Sequence, residues 1–194
     1  MIIGTPMLRR CALRSTLVCV LIVWLAAAAA AQTQSPEFFV GYSYLADPNH
    51  SVLTATARDN SLPLGWAVGM AWPAWRAVSI ATDASGHYKR QTTFVDDITL
   101  TYHTLAAGPR AAATIGPFRE FVQVLVGAAI GRGSAFGVTV STTTVLLQGG
   151  GGLDYPVTPR LALRGELDYR RLTGSDSGRL PSNQVRVVAA IVIR

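Results

Sequence analysis

The sequence predicts an all-β fold: an eight-stranded antiparallel up-and-down transmembrane β-barrel preceded by a cleavable signal peptide. Three observations predict it. The stretch Arg160–Arg171 alternates strictly, with Leu161, Leu163, Gly165, Leu167 and Tyr169 on one side and Ala162, Arg164, Glu166, Asp168 and Arg170 on the other. Successive side chains of a strand point to opposite faces, so this segment has one apolar and one charged face; on a helix its charges would scatter around the axis. Seven further stretches alternate too, and strands of about 9–11 residues suffice to cross a bilayer when tilted. The third observation is an export signal at the N-terminus.

That signal occupies residues 1–31. Arg9, Arg10 and Arg14 form its basic start, Leu17–Leu25 its apolar run, and Ala29-Ala-Ala31 an A-x-A cleavage pattern, so the barrel domain is expected over 32–194. The apolar run is short of the roughly 20 residues a spanning helix needs. Both cysteines, Cys11 and Cys19, fall inside the signal segment, which leaves the mature chain without a disulfide framework or a thiol metal site. Cys19 sits mid-run, away from the small residues, which argues against a lipid-acylated cysteine. Removing three arginines and no acid lowers the net charge from +6 to +3, too little to argue for nucleic acid as a partner.

The first strand is expected at Glu37–Leu45, with Phe38, Val40, Tyr42 and Tyr44 on one face and Glu37, Phe39, Gly41 and Ser43 on the other. Leu64–Trp72 sets Leu64, Trp66, Val68, Met70 and Trp72 against Gly65, Ala67, Gly69 and Ala71, the small side suiting a narrow interior. After a tight turn at Pro73–Arg76, Ala77–Tyr88 places Ser79, Asp83, Ser85 and His87 together. Ile98, Leu100, Tyr102 and Thr104 alternate with Thr99, Thr101 and His103; Gly108-Pro109-Arg110 then opens a connection ending near Gly116-Pro117. Glu120–Ile130 sets Val122, Val124, Val126 and Ile130 outward, Gly131–Thr142 reads as a loop in its first half, and Thr143–Leu153 is the sixth strand. Asp154–Arg160 is a turn, Leu172–Ser182 a loop, and Asn183–Arg194 closes the barrel with Val185, Val187, Ala189, Ile191 and Ile193 outward.

The connections alternate in length, as in outer-membrane barrels with long external loops and short periplasmic turns. Ala46–Pro63, Lys89–Asp97, Gly131–Thr142 and Leu172–Ser182 are the expected external loops. Aromatics cluster near both rims, Phe38, Trp72, Trp75, Phe118 and Tyr155 at one and Tyr44, Trp66, Tyr88 and Tyr169 at the other, which is girdle-like. The alternative is a soluble lipocalin-like barrel, which reverses the sides, buries the large residues and leaves the charges in water.

The informative chemistry lies on the charged face. Asp83, Arg164, Glu166, Asp168, Arg170 and Arg186, with Glu37 beside them, are expected to project into the lumen as a charge network. Eight strands enclose only enough room for side chains, so a salt-bridged plug is expected in place of an open channel. Pairing Arg171 opposite Asn183 sets Asp168 opposite Arg186. His50 falls in a loop; His87 and His103 are expected to face the lumen, with Asp83 the sole further metal ligand in reach, too few for a site. A lipid hydrolase would need Ser and His on the lipid side, whereas Ser85 and His87 share the inner face. Gly149–Gly152 lacks the Lys-Ser/Thr of a phosphate loop and marks a bend or close approach. No catalytic, metal or cofactor residues are assigned.

Ser85-Gly-His-Tyr88, His103-Thr-Leu-Ala-Ala-Gly-Pro-Arg110, Gly149-Gly-Gly-Gly-Leu-Asp154, Arg160-Leu-Ala-Leu-Arg164 and Asn183-Gln-Val-Arg-Val-Val-Ala-Ala-Ile-Val-Ile-Arg194 together resemble the small bacterial outer-membrane β-barrel family of the OmpA/OmpX type. The resemblance implies an eight-stranded barrel of the cell outer membrane without catalytic residues. It departs at Ile193-Arg194, where such barrels usually carry a final aromatic residue that assists insertion. Expected partners are outer-membrane lipid, lipopolysaccharide and the barrel-assembly machinery, with no nucleic acid, and the chain is expected to be a monomer. A structural or surface-interaction role is expected; the alternative is a narrow pore or small-ligand carrier.

Overall fold

The computed structural model describes residues 35–46, 61–92, 97–135, 138–173 and 183–194. The expected signal peptide, His50 and residues 47–60, 93–96, 136–137 and 174–182 of the expected external loops lie outside the described residues.

The strands are β1 Glu37–Ala46, β2 Leu64–Trp75, β3 Val78–Thr92, β4 Asp97–Ile115, β5 Phe118–Ala135, β6 Val138–Pro156, β7 Leu161–Thr173 and β8 Asn183–Ile193. Each pairs antiparallel with its chain neighbours, and β1 pairs with β8 to close the barrel. A path along paired residues from Ile193 through Phe38, Met70, Thr82, Ala107, Val126, Leu147 and Arg171 returns to β8 at Asn183, ten residues from its start. A stagger of this kind tilts the strands roughly 35–45° from the barrel axis.

Alternation sorts the side chains. In β7, Arg164, Glu166, Asp168 and Arg170 are buried inside while Leu163, Leu167 and Tyr169 are exposed on the outer wall. In β2, Ala67 and Ala71 face in and Trp66, Met70 and Trp72 face out. A lipocalin-like barrel would bury the large residues. The opposite arrangement overturns that alternative, because an apolar outer surface this extensive needs lipid around it. Phe38, Trp72, Trp75, Phe118 and Tyr155 are exposed at the turn end, with the Phe118 and Tyr155 rings 5.7 Å apart. At the other rim the Trp66 Nε1–H donates to the Tyr88 hydroxyl at 3.3 Å, and His103 packs edge-on to Tyr88.

Several boundaries differ from the sequence expectation. Gly131–Thr142 is no loop: β5 continues to Ala135 and β6 starts at Val138. The outward residues there, including Arg132, Ser134, Thr139, Ser141 and Thr143, are polar because this part of the wall stands in water above the lipid. A 19-residue strand such as β4 or β6 spans roughly 60 Å, about 45 Å of height once tilted, against an apolar band about 25 Å tall. The chain between β3 and β4 shrinks likewise, to 93–96. Long external connections therefore remain only at 47–63 and 174–182.

At the other end, Gly108-Pro109-Arg110 lies inside β4. Proline has no N–H to donate, and the β4–β5 ladder is interrupted there, between Ala107 opposite Val126 and Arg110 opposite Gln123. Gly108 tolerates the local close approach: a Cβ on it would fall 2.1 Å from the Val124 carbonyl oxygen. The turn itself is Gly116-Pro117, with φ +60° at Gly116, as a type II′ hairpin needs at its first position. Pro73 belongs to β2, where a bulge lies between Pro73 and Trp75. Asp154, expected in a turn, belongs to β6.

Candidate functional site: the charged lumen

The six residues expected in one lumen network are all buried inside the barrel, and the structure divides them into two groups. The middle group centres on Arg186 of β8. Its Nε and Nη2 donate to Asp168 Oδ2 at 2.8 and 2.6 Å, its Nη1 and Nη2 to the two oxygens of Asp83 at 2.8 Å each, and its Nη2 to Glu166 Oε1 at 2.8 Å. Asp168 lies opposite Arg186 in the β7–β8 register. Asp83 comes from β3, on the far side of the lumen, so the pair reaches across the interior. Arg170 adds a bond to Gln148 at 2.8 Å, two to the Ser85 hydroxyl at 3.2 Å and one to Asp83 at 3.3 Å. Gln123 donates to Glu166 at 3.1 Å and Asp168 at 3.4 Å.

Arg164 joins the second group, at the turn end. Its Nε and Nη2 donate to the two oxygens of Asp154 at 2.7 and 2.9 Å, and Nη2 also to Glu37 at 2.9 Å. Arg110 pairs with Glu37 and lies 3.9 Å from Asp154. Arg119 and Arg194 complete the ring around Glu37 at 3.3 and 3.5 Å. The guanidinium of Arg110 stacks on Phe121 at 3.6 Å from the ring centroid, and that of Arg164 lies over the same ring at 4.5 Å.

Glycines of β6 make the room. A Cβ on Gly150 would lie 2.2 Å from Asp168 Oδ1, and one on Gly152 2.8 Å from Phe121 Cζ. Toward the end away from the short turns the filling turns apolar: Leu45, Tyr102, Leu146 and Leu172 are buried together, with Leu62 packed against them. The Tyr102 hydroxyl donates to Gln184 at 3.1 Å, and Ser43 Oγ lies 2.9 Å from His87 Nε2.

Sequence reasoning missed Arg110 and Asp154, read as parts of connections, and the apolar upper filling. Inward parity carried through the proline of β4 and past the glycine run of β6 would have found the two charges. One histidine expectation is corrected. His87 is inside, but His103 is on the outer wall beside Trp66 and Tyr88, because it shares parity with Leu105 and Ala107, and Tyr102 takes the inner position. Ser85 bonds to Thr104 Oγ1 at 2.7 Å and to Arg170, while His87 pairs with Ser43. Among the described residues no three His, Cys, Asp or Glu side chains gather as a metal site.

A family model for the outer membrane protein beta-barrel domain matches residues 17–189. Solved structures share the fold. Ail, the attachment invasion locus protein of Yersinia pestis, is 15% identical with a TM-score of 0.55, over 83% of this chain and 99% of that one. Neisserial surface protein A is 11% identical with a TM-score of 0.57, over 81% and 94%. The N-terminal barrel of Pseudomonas aeruginosa OprF is 11% identical with a TM-score of 0.54, over 84% and 98%. No curated protein matches the chain.

Proposed function

This chain belongs to the outer membrane β-barrel family and resides in the bacterial outer membrane, and from that premise we propose a structural, surface-interacting role with a closed lumen and no catalysis. One observation carries the reading. Arg186 of β8 bridges to Asp83 of β3 across the interior, and the apolar filling of Leu45, Tyr102, Leu146 and Leu172 lies in the same lumen. An eight-stranded barrel has room for little more than such side chains. The Ser43–His87 pair does not suit a hydrolase: it is buried, and among the described residues His87 Nδ1 has no hydrogen-bond partner to orient the ring, as a nucleophile–base pair needs. Ail is named for attachment and invasion; the raised wall of β4–β6 and the connections at 47–63 and 174–182 are the parts of this chain that would meet a surface.

Outer-membrane lipid and lipopolysaccharide are the proposed surroundings, with the assembly machinery as a transient partner and the barrel acting as a monomer. Arg90, Arg132 and Arg171 are exposed and follow the outward residues Tyr88, Ile130 and Tyr169 by one outward step, where lipid phosphates would lie. The test is conductance in a planar bilayer. Purified protein is expected to give no stable single-channel current; a reproducible pore overturns the closed lumen and favours the narrow-pore alternative.

A further inference from the structure

The turn end of the lumen carries an excess of positive charge. Four guanidinium groups, Arg110, Arg119, Arg164 and Arg194, surround two carboxylates, Glu37 and Asp154. The middle group is the reverse, with Arg170 and Arg186 against Asp83, Glu166 and Asp168. Both carboxylates at the turn end are already shared among several arginines, and Glu37 Oε2, which makes no hydrogen bond among the described residues, is a single acceptor against the surplus donors. Like charges this close, shielded from bulk water, repel strongly.

Donors are in excess as well as charge. Arg110 is 2% exposed and Arg164 3%, yet among the described residues Nε and Nη2 of Arg110 and Nη1 of Arg164 have no hydrogen-bond partner. Leaving buried polar groups unsatisfied is costly, more so for charged ones. Stacking on Phe121 holds both guanidinium planes, so the unused donors are pre-oriented. Arg119 and Arg194, at 17% and 19% side-chain exposure, are the more open members of the ring and lie toward the water at the turn end. The rigid fork of a guanidinium matches an oxyanion with two acceptor oxygens.

We propose that the periplasmic end of the lumen binds a small soluble oxyanion of the phosphate or sulfate type on the unused N–H groups of Arg110 and Arg164, with Arg119 and Arg194 at its entrance. The site is enclosed by the barrel wall, so a lipid headgroup anchored on the outer surface does not reach it. Binding is tested by isothermal titration of inorganic phosphate into the full barrel in phospholipid-free detergent micelles, at ionic strength held constant with sodium chloride. One saturable site is expected. Arg110→Met is expected to weaken it by at least about tenfold and the more exposed Arg119→Gln by about threefold, while Arg171→Gln on the outer wall leaves it unchanged. Should Arg110→Met fail to fold, Arg119→Gln decides. No saturable binding to the wild-type barrel, or an affinity unmoved by either variant, overturns the site. Binding seen only with dihexanoyl phosphatidic acid, and not with inorganic phosphate, overturns its assignment to a soluble anion.

Discussion

Arg186 shows why single residues in this lumen are unequal. One guanidinium pairs with Asp83, Glu166 and Asp168 together, so its removal strands more charge than the loss of any one acid. Breaking a desolvated pair from one side costs on the order of 3–5 kcal/mol, reduced where water enters. Arg186→Met is therefore expected to destabilise more than Asp168→Asn, and the two together by less than their sum. A double-mutant cycle on urea unfolding in lipid vesicles should return a coupling of about 1 kcal/mol or more; a value near zero would mean that the two side chains do not interact in solution. On the outer wall, Val187 is half exposed among lipid-facing neighbours. Val187→Arg should cost roughly 2–4 kcal/mol if it lies near the bilayer midplane, read from folding titrations in vesicles, and a neutral result would place the position in water.

At the scale of a strand, β6 shows how one element serves both faces. Its four consecutive glycines, Gly149–Gly152, alternate between the two sides of the wall, and a Cβ on Gly150, Gly151 or Gly152 would come within 2.2, 2.4 or 2.3 Å of a neighbouring atom. Gly150 faces the lumen, where a Cβ would strike Asp168 Oδ1 and the Leu167 carbonyl oxygen at 2.2 and 2.4 Å. Gly149 has nothing within 4 Å of its would-be Cβ. Gly150→Ala is expected to cost about 1–3 kcal/mol through forced shifts, whereas Gly149→Ala should stay within about 0.5 kcal/mol. Comparing their urea midpoints in the same lipid tests the close approach at Gly150, and equal midpoints would contradict it. The glycine run was legible as a sign of close approach; which three of the four make it depends on the partner strands.

For the molecule as a whole, the two ends are chemically distinct. Turns Arg76-Ala77 and Gly116-Pro117 sit at one end with the excess of arginine, and the raised β4–β6 wall stands at the other. An epitope tag between Thr173 and Asn183 should be reached by antibody on intact cells, and a tag at 157–160 only after the outer membrane is permeabilised. The reverse pattern would invert the topology.

The sequence alone determined the strand order, the two faces of the wall and the β7–β8 register, because alternation with period 2 ties each residue to a side and the final hairpin aligns Asp168 with Arg186. Its reading of polarity failed where β5 and β6 leave the lipid: Thr, Ser and Arg outside the membrane look the same whether they lie on a strand or in a loop. It also failed at Pro109 and Asp154, where an irregular residue inside a strand resembles the start of a turn. Only the tertiary structure decided how the charges group. Arg164 lies two positions from Glu166 yet joins Asp154, directly opposite it in the β6–β7 pairing, and Glu37 of β1, which barrel closure brings to it. The reach to Glu37 is set by the closure and tilt of the whole barrel, which no local pattern encodes.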